Sequence, residues 1–328
     1  MNWEKALNWF KENDNFLILT HKKPDLDGIG SLLAVFLFLK ILGKRVNAVV
    51  EKLPEMAMFL PGVKEITLAE ELKNNEFKAL VVVDAHSPHR LPDEILKKIK
   101  LPEDTLVIDH HLAEDRTPFS NRELLFIDPS APSTTFLLYK FFFSQALPLS
   151  EEIAQNLLAG IYYDTGGFRY ENVGEEVFRV SAELVRAGAK PSQIAREIFE
   201  NMPIQRIEFL KLILNRLEFL NNGKIVISYL TLDDFQKVGG TEYLNDLTSF
   251  IRGIKGVEVA VLVKELEKGL ISVSLRSKSP VEVVGLAKKM GGGGHRFASG
   301  FKVENAELFE FMEKFKKELR EYYGEEKR

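Results

Sequence analysis

Short, continuously apolar runs alternate with helical stretches through the first half of this chain, and few folds accept that pattern. FLILT (Phe16–Thr20), VNAVVE (Val46–Glu51), ALVVVD (Ala79–Asp84) and TLVID (Thr105–Asp109) read as strands, with LLFID (Leu124–Asp128) as a fifth. Strands that are apolar on both faces and joined through helices predict a parallel sheet covered on both sides. The stretch from Gly28 to Leu42 is apolar nearly all round and stops at Gly43, which predicts a buried helix. Ser150 is placed to cap a second helix, with Glu151 and Glu152 in its first turn and YYDTGGF (Tyr162–Phe168) at its end. A helical stretch from about Pro191 to Asn221 follows, broken near Pro203. After the Asn222-Gly223 turn come KIVISYL, VEVAVLV and LISVSLRS, three further strand-like runs, then two closing helices. The expected class is α/β: an N-terminal parallel-sheet domain over 1–188, a helical linker over 189–221 and a smaller α/β domain over 222–328.

The acidic and histidine residues fall where such a sheet would gather them. His21, Asp25 and Asp27 lie in THKKPDLDGIGS, directly after the first strand. Asp84 ends the third strand, with His86 beyond it. Asp109, His110 and His111 end the fourth, and Asp164 ends the long helix. The carboxyl ends of parallel strands share one edge, which is where ligands bind in open α/β sheets. Any one of these residues alone would pass as a turn residue or a helix cap. Asp164 is the least comfortable in that role, because a negative charge opposes the dipole at a helix C-terminus. Carboxylates and imidazoles converging on one edge in this number require positive charge, which divalent cations supply. The chain has no cysteine, so disulfides and thiolate-held metals are excluded, and a cytoplasmic protein is expected. A donor set of imidazole and carboxylate suits two ions, Mn²⁺ first, with Mg²⁺, Co²⁺, Fe²⁺ or Zn²⁺ as alternatives. In hydrolases that attack phosphorus in line, two such ions sit ~3.5–4 Å apart.

The distribution of positive charge narrows the substrate. The net charge of −4 argues against a protein that tracks long duplex nucleic acid. From Lys264 to Lys302, however, eight Lys and Arg stand against three Glu. That segment holds SLRSK (Ser274–Lys278), with Ser274, Arg276 and Ser277, and the run MGGGGHRFASGF, with Gly292, Gly293, Gly294 and His295. Backbone amides in a glycine run can form an anion-binding nest, and an arginine adds a phosphate donor. The competing reading is a hinge among solvated lysines. Arg90, six residues after Asp84, is a further candidate to reach substrate. No apolar run approaches the ~20 residues of a membrane span, so no membrane partner is expected.

Taken together, these segments resemble the DHH phosphoesterase superfamily. THKKPDLDGIGS is similar to its first motif, VVVDAHSPHR to its second, VIDHH to its naming motif and YYDTGGF to its fourth. GGGGHRFASGF resembles the glycine-rich motif of the DHHA1 domain. The likeness runs from about residue 15 to residue 303 and fits the nanoRNase and pAp-phosphatase branch. It implies that His21, Asp25 and Asp84 hold one metal and that Asp27, Asp84, His110 and Asp164 hold the other. His111 would act beside the scissile phosphate, and Asp109 would orient a histidine. Arg276, His295 and the glycine run would grip a far phosphate, so that one domain cuts and the other limits substrate length. The implied substrates are short oligonucleotides or adenosine 3′,5′-bisphosphate (pAp), with a homodimer among the assemblies the sequence allows. An inorganic pyrophosphatase is disfavoured by the GGGGH segment, and a RecJ-like exonuclease or a cyclic-dinucleotide phosphodiesterase by the absence of added modules. A nucleotide sensor without turnover is disfavoured because every metal-ligand position of the pattern is filled.

Overall fold

A computed structural model describes residues 1–73, 76–112, 116–244 and 247–324; residues 325–328 of the expected last domain lie outside these. The chain divides into two compact units, the second beginning at Met202. In the first unit, β1 (Phe16–Leu19), β2 (Val46–Val50), β3 (Thr67–Leu68), β4 (Ala79–Val83), β5 (Asp104–Asp109) and β6 (Arg122–Ile127) form one sheet in the order β3-β2-β1-β4-β5-β6. All five pairings are parallel, as the apolar runs predict. The two-residue β3 was not expected; it is too short to carry a periodic signal. Its helices are α1 (Trp3–Glu12), α2 (Leu26–Ile41), α3 (Asp93–Lys98), α4 (Thr134–Ser144), α5 (Glu151–Asp164), α6 (Glu175–Arg186) and α7 (Pro191–Phe199).

Alternate residues of the strands feed two cores. Ile18, Val81, Val83, Leu106 and Ile108 pack in the cluster that holds α2, α4 and α5. Leu17, Leu19, Leu80, Val82 and Val107 pack on the other face with Leu91 and Ile95. Helix α2 is buried from Leu26 to Leu39, which explains its unbroken apolar sequence. Ser150 Oγ accepts from the Ile153 amide 3.2 Å away and starts α5, which runs on to Asp164. The chain leaves β1 toward β2 and β3, then returns to place β4 on the other side of β1. The carboxyl ends of β1 and β4 therefore flank the point where strand order reverses, the place where such sheets bind ligands.

The second unit contains α8 (Ile204–Asn215), β7 (Glu218–Leu220), β8 (Ile225–Leu230), α9 (Leu232–Val238), α10 (Leu247–Arg252), β9 (Val259–Glu267), β10 (Leu270–Ser277), α11 (Val284–Lys289), β11 (Gly293–His295), β12 (Ala298–Glu304) and α12 (Leu308–Gly324). Its sheet runs β11-β12-β10-β9-β8-β7 and is mixed, with β8 and β9 parallel and the other pairs antiparallel. The stretch read as a linker is shared between the units: α7 belongs to the first, α8 and β7 to the second. Among the described residues, no helix is long and apolar enough to cross a membrane.

Candidate metal centre

Each strand end delivers its residues to one place. His21 follows β1, and Asp25 caps α2, its Oδ1 accepting from the amides of Asp27 (3.0 Å) and Gly28 (3.1 Å). Asp84 follows β4 with φ +57°, a left-handed conformation that a non-glycine residue holds at about 1–3 kcal/mol. Its amide donates to the Ile108 carbonyl (2.9 Å), which ties the strained residue to β5. Asp109 ends β5, and His110 and His111 continue into the loop. Asp164 is the last residue of α5.

The side chains form overlapping groups. Donor atoms of His21, Asp25 and Asp84 lie within 4.8 Å of one another, as do those of Asp27, His110 and Asp164, and those of Asp84, His110 and His111. Asp84 stands between the first two groups, and its oxygens divide. Oδ2 lies 3.2 Å from His21 Nε2, while Oδ1 lies 3.7 Å from His110 Nε2 and 3.4 Å from His111 Nδ1. His110 Nε2 is 3.2 Å from Asp164 Oδ2 and 4.0 Å from Asp27 Oδ2.

The charges in this cluster do not balance by themselves. Burial, followed by the neighbouring charge of Asp84, raises the carboxyls of Asp25 and Asp27, the latter to about 7. Asp164 is raised well above the ordinary range by burial and then by Asp27 and Asp25. Asp84 is lowered instead. Burial is the largest single influence and opposes this, but the hydrogen bond and charge of His21, with His111 and His110, together outweigh it. His21 is correspondingly raised to about 9, against burial, by Asp84 and Asp25. Carboxyls pushed toward neutrality by one another form a site that gains from added cations. The space for them is kept open by Gly28: a Cβ there would approach Thr20 Oγ1 to 2.7 Å, His21 Nε2 to 3.1 Å and Asp84 Oδ2 to 3.3 Å. The nitrogen and oxygen donors, the charge excess and this open cradle all fit divalent ions.

A hydrogen-bonded chain supports His111. Asp109, wholly buried, accepts from His86 Nδ1 (2.6 Å) through Oδ2, and from the His111 amide (3.1 Å) and His111 Nδ1 (2.8 Å) through Oδ1. Burial opposes ionisation of Asp109, but the His111 and His86 bonds outweigh it and hold its carboxyl below the ordinary range. Arg90 Nη2 lies 3.3 Å from His111 Nε2. Arginine only donates, so His111 carries its proton on Nδ1 and leaves Nε2 as the acceptor.

Two residues that the sequence reading passed over meet the cluster from α4. Thr134 donates its amide to Asp27 Oδ2 (2.7 Å) and its hydroxyl to Asp84 Oδ1 (3.0 Å). Thr135 donates both its amide (2.9 Å) and its hydroxyl (2.5 Å) to Asp27 Oδ1. The only sequence signal was three successive hydroxyl residues, Ser133 to Thr135, which also suit an ordinary helix start.

In the second unit the candidates sort by strand register. Arg276 and His295 both pair with Ala298, so they stand in one row across β10, β12 and β11. Ser274 and Gly293 both pair with Gly300, forming the adjacent row on the same face. Ser274 Oγ accepts from Lys264 Nζ (2.7 Å). Ser277 does not join them. Strand β10 alternates half-buried and buried, and Ser277 falls on the buried face with Val273 and Leu275. The glycine run also differs from an open nest, because it enters β11, the edge strand. A Cβ on Gly292 would strike the Gly300 carbonyl oxygen and Phe301, and one on Gly294 would lie 2.6 Å from the Ala298 carbonyl oxygen. Those two glycines allow close strand approach, whereas a Cβ on Gly293 would meet nothing within 4 Å.

The chain is a phosphoesterase, a hydrolase of phosphodiester bonds, with the carboxylate and histidine cluster at the switch point of its parallel sheet as the candidate site. The chain belongs to the DHH family: residues 15–161 match the DHH family, N-terminal domain, and residues 222–325 match the DHHA1 domain. It is 32% identical, over 93% of its own length and 89% of the relative's, to the bifunctional oligoribonuclease and PAP phosphatase NrnA of Thermus thermophilus. The structure of an exopolyphosphatase-related protein from Bacteroides fragilis superposes with a TM-score of 0.86 at 24% identity, covering 98% of this chain and 96% of that one. RecJ of Thermus thermophilus in complex with Mn²⁺ gives a TM-score of 0.56 at 15% identity, over 96% of this chain and 54% of that one. Both structures share its fold.

Proposed function

We propose that this enzyme hydrolyses short oligoribonucleotides to mononucleotides and removes the 3′-phosphate of pAp. The observation that carries this reading is the likeness along nearly the whole chain to an enzyme named for both activities. In this reading His21, Asp25 and Asp84 would hold one divalent ion, and Asp27, Asp84, His110 and Asp164 would hold another. Mn²⁺ is the first choice, since the donors are imidazole and carboxylate and a RecJ structure of the same fold carries it. When bound, such ions supply positive charge for phosphoryl oxygens and make water a competent nucleophile near neutral pH.

The remaining work falls to the chain. Arg90 is suited to bind a non-bridging oxygen of the scissile phosphate, beside His111. His111, its Nδ1–H held by Asp109, would act beside the scissile phosphate, taking a proton at Nε2 and returning it to the leaving oxygen. Asp109, itself fixed by His86, keeps that tautomer and ring orientation. Arg276, His295 and Ser274 would supply donors for a second phosphate, and Gly293 has no side chain to obstruct it. Gly292 and Gly294 serve by letting the strands close beneath it. Two sets of phosphate donors suit a ligand that carries two phosphates; a net charge of −4 argues against a long duplex.

The test is to incubate the protein with Mn²⁺ and end-labelled RNA two, five and about twenty-four nucleotides long, with pAp in parallel and Asp84→Ala as control. Fast Mn²⁺-dependent release of mononucleotides from the shorter RNAs and of AMP from pAp is expected, and the variant should lose both. Equal rates on the long RNA would overturn the length preference. Ligand binding without any product would replace the enzyme reading by a sensor.

A further inference from the structure

Ser133, Thr134 and Thr135 open α4 beneath the metal centre, and all three are fully buried. Their bonds to two of the proposed ligands divide those carboxylates unequally. Asp27 Oδ1 receives two donors, the amide and hydroxyl of Thr135, which fill its lone-pair positions. Oδ2 receives one, the Thr134 amide, and is the oxygen that faces His110 Nε2 at 4.0 Å. At Asp84 the Thr134 hydroxyl takes one position on Oδ1, the oxygen on the His110 side, and leaves Oδ2 to the His21 side. The Thr135 hydroxyl is held in turn. Ser133 Oγ lies 2.8 Å from Thr135 Oγ1 and accepts from the Phe136 amide (3.1 Å). With Thr135 donating to Asp27, Ser133 must donate to Thr135, so the three hydroxyl and carboxyl groups form a directed chain.

We propose that Thr134 and Thr135 are positioning residues for the metal centre. Thr135 makes Asp27 a one-oxygen ligand through Oδ2, and Thr134 aims the two oxygens of Asp84 at different ions, so the site is set before any ion arrives. Neither threonine needs to touch an ion or the substrate. Packing supports the assignment: a Cβ on Gly160 of α5 would lie 2.5 Å from Asp27 Oδ1 and would also strike Thr135, so the glycine makes room for this pair to meet. This inference rests on the metal-centre reading above.

The experiment titrates metal-free protein with Mn²⁺ by calorimetry, with the melting temperature of each metal-free variant measured alongside. Thr135→Val removes a hydroxyl at nearly constant volume and is expected to weaken Mn²⁺ binding about 10–100-fold, the usual consequence of losing a partner behind a ligand. Thr135→Ser restores the hydroxyl and should bind within about threefold of the wild type. Thr134→Val keeps the amide bond to Asp27 and loses only the bond to Asp84. It should also weaken binding about 10-fold, and it decides the matter if Thr135→Val does not fold. Folded valine variants that bind Mn²⁺ like the wild type, whatever their melting temperatures, would overturn the proposal while leaving the metal reading intact. A wild type that binds no Mn²⁺ would remove both.

Discussion

In the first unit the proposed site groups are crowded and shielded: Asp27, Asp84 and Asp109 are each 1% exposed or less, and all are held by several donors. In the second unit the candidate groups are less enclosed, with Arg276 half-buried and His295 exposed at the edge strand. Burial suits chemistry that depends on fixed orientation and a low local dielectric, where each charge counts for more. Lower burial suits binding of a flexible phosphate chain, where side chains adjust at little expense. The difference teaches where sensitivity to mutation should lie. Small changes in the first unit should act on turnover, and those in the second on affinity.

The largest effect that would sharpen this contrast is at His111. His111→Ala should lower kcat about 10²–10⁴-fold, the usual contribution of a positioned acid or base, and Asp109→Asn about 10–100-fold through misorientation of the imidazole. Steady-state kinetics on a dinucleotide checks both, and a rise in KM with intact kcat would break the contrast. Next comes Arg276→Ala, which should raise KM about 10-fold or more with kcat nearly unchanged, the cost of one charge-assisted phosphate bond. A kcat defect of the same size would place Arg276 with the cutting groups.

A smaller effect concerns stability. Folding raises Asp27 from its ordinary 3.8 to about 7, so the folded metal-free protein binds the extra proton. The stability this gives is complete below pH 4 and is lost as pH rises through 7. Divalent ions compete with that proton, so the Mn²⁺-induced rise in melting temperature should be larger at pH 8 than at pH 5, by at least a few degrees. Scanning fluorimetry at the two pH values measures it; a larger rise at pH 5 would contradict the charge argument. The smallest effect is at Ser277. Its buried Oγ has no hydrogen-bond partner among the described residues, so Ser277→Ala should leave KM within about twofold and stability equal or higher. A KM rise matching that of Arg276→Ala would break the face assignment.

Much of the first unit was legible because the signals reinforce one another. An aspartate after five apolar residues, as at Asp84, cannot lie within a buried strand and so must end it. Several such ends in a parallel sheet share one edge. The roles of Thr134 and Thr135 were not legible, since a hydroxyl at a helix start satisfies the helix equally well and nothing local points to Asp27, more than a hundred residues away. The second unit was harder to read. Strands β11 and β12 were missed because four successive glycines read as a loop, whereas Gly292 and Gly294 allow backbones to approach. The separation of Ser277 from Arg276 was present in the alternation of LISVSLRS, but charge and hydroxyl content obscured it.

The central claim is that Asp84 lies between two ions held by separate sets of residues. Crystals soaked in Mn²⁺ and measured at the manganese absorption edge test it directly through anomalous scattering. Two peaks are expected, one among His21, Asp25 and Asp84 and one among Asp27, Asp84, His110 and Asp164, with both lost in Asp84→Asn. A single peak, or two that persist without the Asp84 carboxylate, would contradict it.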